Sequence, residues 1–212
     1  YMGAGTGLMA QGSYNSAMGS SAGLDSRGNG NSQYGTGAGA AAQGDNNVAM
    51  GTSAGSAYVT SIDAAGNTVW KDRLGISVNP LSLAAVNATS NTVSVGNWSW
   101  ASADEAVAVG NNALANSIAA TALGSHATAE GAQATAVGAA AAANGMLSSA
   151  FGSEANAYGN FSLAAGFQSK AAEQSVAVGV DSKAIGEASV AVGISSEASA
   201  ERSMALGAGS IS

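Results

Sequence analysis

The sequence predicts an all-β fold, a parallel solenoid of 14-residue coils with a thin interior, and three observations lead there. The first is a glycine that returns at every fourteenth position through much of the chain. Beside each glycine, small and larger apolar residues alternate with a period of two, which is the signature of a strand. The third is a shortage of bulk: 46% of the 212 residues are hydrophobic, yet only 5% are aromatic, and alanine supplies much of the rest. A thick sandwich or barrel needs large side chains to fill its volume at the density of a protein interior. Alanine and 30 glycines suit a fold whose layers lie close together.

The coils are marked by Gly96, Gly110, Gly124, Gly138, Gly152, Gly166, Gly179, Gly193 and Gly207, spaced 14 apart except for the 13 between Gly166 and Gly179. Gly5 and Gly19 are also 14 apart, as are Gly37 and Gly51. On this reading one period runs through the chain, interrupted by 4 extra residues before Gly37 and about 31 between Gly51 and Gly96. Three segments follow: irregular N-terminal coils over 1–56, an insertion over 57–91, and regular repeats over 92–212.

Within each coil a first strand precedes the glycine, as in Ala106-Val107-Ala108-Val109, Ser175-Val176-Ala177-Val178 and Ser203-Met204-Ala205-Leu206. A second follows it, as in Asn112-Ala113-Leu114-Ala115, His126-Ala127-Thr128-Ala129 and Glu154-Ala155-Asn156-Ala157. A looser corner such as Glu130-Gly131 or Tyr158-Gly159 closes the coil. A two-heptad helical reading of the same period fails, because residues two apart on a helix point to nearly opposite faces. Each glycine would also cost such a helix about 1 kcal/mol.

The columns of the repeat give each face a direction. Positions two and four before the glycine, and three and five after it, are nearly always Ala or Ser; in one coil they are Ala122, Ala120, Ala127 and Ala129. Placed inward, they leave room for nothing larger. The first strand then presents its larger residues outward: Val93, Val107, Val176, Val190 and Met204 in one column, and Val95, Val109, Leu123, Val137, Phe151, Val178, Val192 and Leu206 in the other. Ala165 beside Phe151 makes space for its ring. An apolar stripe of that length exceeds what a solitary soluble chain exposes, so it is expected to meet the same stripe on identical chains. The second strand's outward positions, among them Asn112, His126, Thr128, Glu154, Asn156, Gln168, Lys170, Asp181, Lys183, Ser195 and Glu197, are polar and are expected to face water. Lys183 and Glu197 share a column and are placed to pair across the stack.

The Ser-Val-Ala-Val-Gly step followed by Ser/Ala-x-Ala, recurring with the same fourteen-position period, resembles the head repeat of YadA-type trimeric autotransporter adhesins. The resemblance covers 92–212 and, less regularly, 1–56; nine glycines stand in frame with Ala two positions earlier, Ser94 being the exception. It implies a left-handed parallel β-roll from each of three chains packed about a common axis, with Val107, Val109, Leu123, Val137, Phe151, Val176, Val178, Val190, Val192, Met204 and Leu206 in the trimer core. It also implies an adhesive head at the bacterial cell surface. Such a head would attach to host cells, extracellular matrix or other bacteria, and a C-terminal domain outside this sequence would anchor it in the outer membrane. A spacer that displays another head further along the fibre is the alternative. The absence of cysteine agrees with export through a narrow pore. No charged n-region or cleavage site precedes Tyr1, so the chain reads as a mature fragment.

The insertion contains Tyr58-Val59-Thr60-Ser61-Ile62 and Thr68-Val69-Trp70 around Asp63-Ala64-Ala65-Gly66-Asn67, a β-hairpin pattern, followed by the single proline, Pro80, and an apolar run from Leu81 to Val86. Trp98 and Trp100 occupy outward positions where other coils are polar. Either the insertion folds back over them or they form an aromatic binding patch; they are the candidate ligand-binding residues.

Composition narrows the partners. Six Lys and Arg against 13 Asp and Glu, a net charge of −7, supply no clustered cations for nucleic acid or an anionic membrane surface. No run approaches the ~20 apolar residues that span a bilayer. Catalysis, metal and cofactor sites are not expected. His126 stands alone in a surface column, and Asp104-Glu105 alternates sides at a corner. Gly3-Ala4-Gly5 and Gly35-Thr36-Gly37-Ala38-Gly39 complete neither a dinucleotide fingerprint nor a P-loop. Outward threonine is too sporadic for an ice-binding ladder. The expected partners are two further copies of the chain and a host matrix protein or cell-surface receptor.

Overall fold

The computed structural model describes residues 1–55, 59–62, 68–71 and 90–212, and it is a parallel β-solenoid with no helix among them. Two compact units are present, Tyr1–Glu105 and Ala106–Ser212.

In the C-terminal unit the first sheet contains the strands Val107–Val109, Thr121–Leu123, Thr135–Val137, Ser149–Phe151, Leu163–Ala165, Val176–Val178, Val190–Val192 and Met204–Leu206. Each pairs in parallel with the next, and Ala108, Ala122, Ala136, Ala150, Ala164, Ala177, Ala191 and Ala205 form one straight column. Phe151 pairs with Ala165, as the volumes require. The second sheet contains two-residue strands from Leu114–Ala115 to Glu197–Ala198. These are shorter than the sequence pattern suggests. The residue two after each glycine from Gly110 to Gly193, such as Asn112, His126, Glu154 or Asp181, has φ between 52 and 59° and belongs to the turn. That left-handed residue reverses the chain from one sheet to the other within a few residues.

The interior is as thin as the alternation predicts. Ala120, Ala122, Ala127 and Ala129 are 0% exposed, and so are their equivalents in the neighbouring coils. At most of the inward serine positions the hydroxyl donates back to the carbonyl three residues earlier, whereas Ser148 Oγ and Ser203 Oγ are buried without a hydrogen-bond partner. Ser169 Oγ lies 3.0 Å from Gly166 O, and Ser182 and Ser196 repeat this with Gly179 and Gly193. The hydroxyl is thereby paired without a second polar side chain in the core. The 13-residue coil loses its residue at the corner. Ala172 accepts the Ser175 hydroxyl at 2.7 Å, as the corner glycines Gly159 and Gly186 accept Ser162 and Ser189.

The recurring glycine is required by the stack itself. Gly152 has φ +127°, and a Cβ added there would lie 2.7 Å from the carbonyl oxygen of Gly166 in the next coil. Backbone, unlike a side-chain tip, cannot step aside. Gly152→Ala is therefore expected to cost about 3 kcal/mol from the strained φ and the clash together, which a lowered midpoint in chemical denaturation would register.

The N-terminal unit has a different coil length. Its strands Ser16–Met18, Ser32–Tyr34 and Val48–Met50 pair as Ser16↔Ser32↔Val48, and Gly19, Gly35 and Gly51 stack on one another. Both ladders advance by sixteen positions per coil. The 14-residue spacing of Gly5–Gly19 and of Gly37–Gly51 is therefore not the period of this region. The frame glycines are Gly3, Gly19, Gly35 and Gly51, and Gly5 and Gly37 are turn residues two positions later with φ of 65 and 66°. Two added residues lengthen the turn after each glycine, where Gly23 and Gly39 (φ 62 and 61°) and Asp25 and Ala41 (φ 51 and 58°) take left-handed conformations. Over the sixteen-residue coils the second sheet is reduced to single bridges, Gln11↔Arg27↔Gln43.

The longer coil encloses larger, polar side chains. Asn31 Oδ1 accepts the Asn47 amide at 2.9 Å, Asn15 Oδ1 accepts that of Asn31 at 2.9 Å, and Asn47 Oδ1 accepts both the amide and the hydroxyl of Thr92. Gln33 is buried in the column that holds alanine elsewhere, lying between Gly23 and Gly39 where a Cβ would collide with it. Val48–Met50 pairs directly with Val93–Val95, so the ladder continues in register across a step of 45 positions, as from Asn47 to Thr92. Within it Val59–Ile62 pairs antiparallel with Thr68–Lys71. The expected turn at Asp63–Asn67, Pro80 and the Leu81–Val86 run lie outside the described residues.

Candidate binding surfaces

Three surfaces of the C-terminal unit are available to a partner. The first is the outer face of the first sheet. Every strand has its middle alanine buried and its flanking residues turned away from the coil. Val107, Val109, Val137, Val176, Val178 and Val190 are half-buried, shielded only by the coils above and below. Leu123, Phe151, Val192, Met204 and Leu206 are exposed. The arrangement is inverted relative to an ordinary core: methyl groups inside, valine and leucine outside. Thr121, Thr135, Ser149, Leu163 and Ala165 complete the face, which carries no ionisable group.

The second surface is the outer face of the second sheet, with Leu114, Thr128, Ala142, Asn156, Lys170, Lys183 and Glu197 in one column. Polar contacts run along it. Gln168 Nε2 donates to Glu154 Oε2 at 2.7 Å, and His126 Nδ1 lies 2.9 Å from Ser125 Oγ. Lys183 and Glu197 are register partners as expected, but the Lys183 ammonium lies 3.5 Å from Asp181 instead, and Glu197 Oε1 accepts the Ser199 hydroxyl. The left-handed turn brings Asp181 alongside its own coil's lysine, a nearer partner than one a coil away. Both groups are partly exposed, so the pair adds little to stability.

The third surface lies at the corners, and the period-two alternation gave no sign of it. Ile118, Met146, Leu147 and Phe161 are exposed before the first strand, and Phe167, Val180 and Ile194 after it. Leu147 and Phe161 hold φ of 57°, an unusual conformation for large side chains. The available signal was columnar: these positions are occupied elsewhere by Ala119, Gln133, Ala188 and Arg202. Tyr158, also at a corner, has its phenol pKa raised by desolvation and stays protonated at neutral pH.

In the N-terminal unit Trp98 and Trp100 are both half-buried. Trp98 has φ 57° and sits in a turn, while Trp100 opens the short strand Trp100–Ala101. Trp100 also lines a cavity of about 20 Å³ with Gln33, Asn47, Thr92 and Ala101, which has room for one water and no larger ligand. Asp104 accepts the Ser90 amide at 2.8 Å and acts as a corner cap. No group of three or more His, Cys, Asp or Glu side chains suited to a metal ion occurs among the described residues.

A repetitive parallel stack with an alanine interior and an apolar outer sheet agrees with the family comparison. The family model for the YadA head domain repeat matches residues 90–113, 115–141, 143–169, 171–193 and 184–210. No curated protein matches the chain. With more than half of its residues inside those repeats, the chain belongs to the YadA head family, whose members are adhesin domains.

Proposed function

We propose that the chain is the adhesive head of a trimeric autotransporter. Three copies pack through the outer face of the first sheet and expose the second sheet and corners to host cells, extracellular matrix or other bacteria. One observation carries the reading: Val109, Val178 and Val192 lie outside a coil whose inside is already filled by alanine at 0% exposure. Burial of apolar area is the main driving force available, at about 25 cal/mol per Å², and a solitary chain leaves this area wet. The trimer core comprises Val107, Val109, Leu123, Val137, Phe151, Val176, Val178, Val190, Val192, Met204 and Leu206.

Three identical heads present each surface site three times, and attachment gains from simultaneous engagement more than from any one contact. Anchoring in the outer membrane would fall to another part of the protein. The test is adherence to host cells by bacteria whose adhesin lacks residues 92–212, with fibre length restored by an unrelated spacer. Loss of adherence is expected. Retained adherence would assign these coils to spacing instead. Trp98→Ala/Trp100→Ala, tested in parallel, reports whether the tryptophans contribute to the contact.

A further inference from the structure

Asparagine is followed by glycine at Asn29-Gly30 and at Asn144-Gly145, and the structure holds the two links very differently. Such a link is reactive, because attack of the glycine amide nitrogen on the asparagine side-chain carbon closes a five-membered ring. Glycine, lacking Cβ, opposes the rotation that brings the two atoms together less than any other residue. How firmly the side chain and that amide are held then decides the rate.

Both asparagines are exposed, so access to water does not separate them. Asn29 is tied to the coil on either side. Its Oδ1 accepts the Ser13 amide at 2.8 Å, its Nδ2 lies 3.4 Å from Asp45 Oδ1, and its own amide donates to the same oxygen at 2.7 Å. The nucleophile, the Gly30 amide, donates to Ser13 O at 3.0 Å. At Asn144, a corner of the C-terminal unit, none of this is repeated. The Asn144 side chain makes no hydrogen bond among the described residues. Its amide takes the Ala157 carbonyl at 3.0 Å, and the Gly145 amide reaches that same oxygen only at 3.4 Å. A bond so long and shared engages the nitrogen weakly.

We propose that Asn144 is a site of spontaneous deamidation, selected over Asn29 by the fold. Gly145 N gives up its proton to water and bonds to Asn144 Cγ. The Cγ–Nδ2 bond breaks, and the side-chain nitrogen leaves as ammonia. Water then opens the cyclic imide and returns a proton to Gly145 N. Opening at Cγ yields aspartate; opening at the main-chain carbonyl yields isoaspartate, whose main chain runs through Cγ.

Either product sets a carboxylate one coil from Glu130, which holds the equivalent corner position. Isoaspartate does more, because the corner has no room for a longer main chain. A Cβ at Gly145 would collide with the Gly159 carbonyl, and one at Gly131 with that of Gly145. The bonds next in line are Met146 N to Asn160 Oδ1, at 2.8 Å, and Leu147 N to Ala132 O, at 2.9 Å. The change therefore reaches the exposed Met146 and Leu147.

The test holds the full, folded chain in mildly alkaline buffer and follows both links by peptide mass spectrometry, with isoaspartate identified by electron-transfer fragmentation. The Asn144 peptide is expected to convert at least about tenfold faster than the Asn29 peptide, since freeing the Gly30 amide from one hydrogen bond accounts for a factor of that order. In denaturant, where both links meet only solvent, the two rates should converge. Asn29 converting as fast as Asn144 in the folded chain would overturn the proposal. So would an Asn144 that stays intact while the denatured chain converts, or a tenfold difference that persists in denaturant, which would assign the rates to local sequence. Asn144→Gln disfavours the ring by lengthening an exposed side chain, and it should remove the product while leaving the circular dichroism unchanged.

Discussion

Replacing Ala136 with leucine should abolish folding of the C-terminal unit. Ala136 is 0% exposed and stacks between Ala122 and Ala150, themselves wholly buried. Overpacking a normal core costs about 1–3 kcal/mol because neighbouring side chains rearrange. Here the neighbours are alanine methyls and hydrogen-bonded backbone, which have no rotamers to change. Relief would require the two sheets to separate and break the coil ladders on both sides, so the expected loss lies at or above the top of that range. Ala136→Ser should be mild, since Ser94 occupies the equivalent column. Gln33, larger than leucine in reach, fits that same column in the N-terminal unit only because glycines flank it in longer coils. Circular dichroism of the two Ala136 variants checks this: loss of the β signal with leucine and retention with serine. A folded leucine variant would mean that the interior is roomier than described.

Val178→Asp should leave a chain that no longer assembles. Val178 sits in the outer column between Ala165 and Val192, so the substitution brings no new atoms into the coil. In a three-fold assembly it would bring three carboxylates together. Two like charges 4 Å apart at an effective dielectric of 20 repel by about 4 kcal/mol, which exceeds what the lost valine contacts alone would cost. Thr128→Asp, on the second sheet, adds the same charge where water can reach it and should assemble normally. Size-exclusion chromatography with light scattering separates the outcomes. Equal behaviour of the two variants would place the interface elsewhere.

The parts of this fold that were legible in the sequence are those that every coil repeats. A methyl-sized interior tolerates only Ala or Ser, so Ala108 to Ala205 recur and the outward valines follow from alternation. The N-terminal register was harder to read. There Gly3, Gly5, Gly7, Gly35, Gly37 and Gly39 crowd together, and counting from Gly5 and Gly37 returns a false 14. Only the backbone ladder, with Ser16 opposite Ser32, distinguishes a glycine that stacks from one that merely turns. The extent of the second strand was overestimated for a related reason. Asn112 and His126 look like strand residues by polarity, but their left-handed φ is a property of the turn and leaves no mark on composition. Lys183 chose Asp181 over Glu197 through the same turn. The corner patch at Leu147 and Phe161 departs from its column rather than following a period, so it appears when equivalent positions are compared coil by coil.

The interface proposed for the outer face of the first sheet has its most direct test in the mass of the untreated protein in solution. Sedimentation equilibrium should return about three times the 20.2 kDa of one chain. A folded, soluble species of 20.2 kDa would show that Val109, Val178 and Val192 tolerate water and would contradict the account.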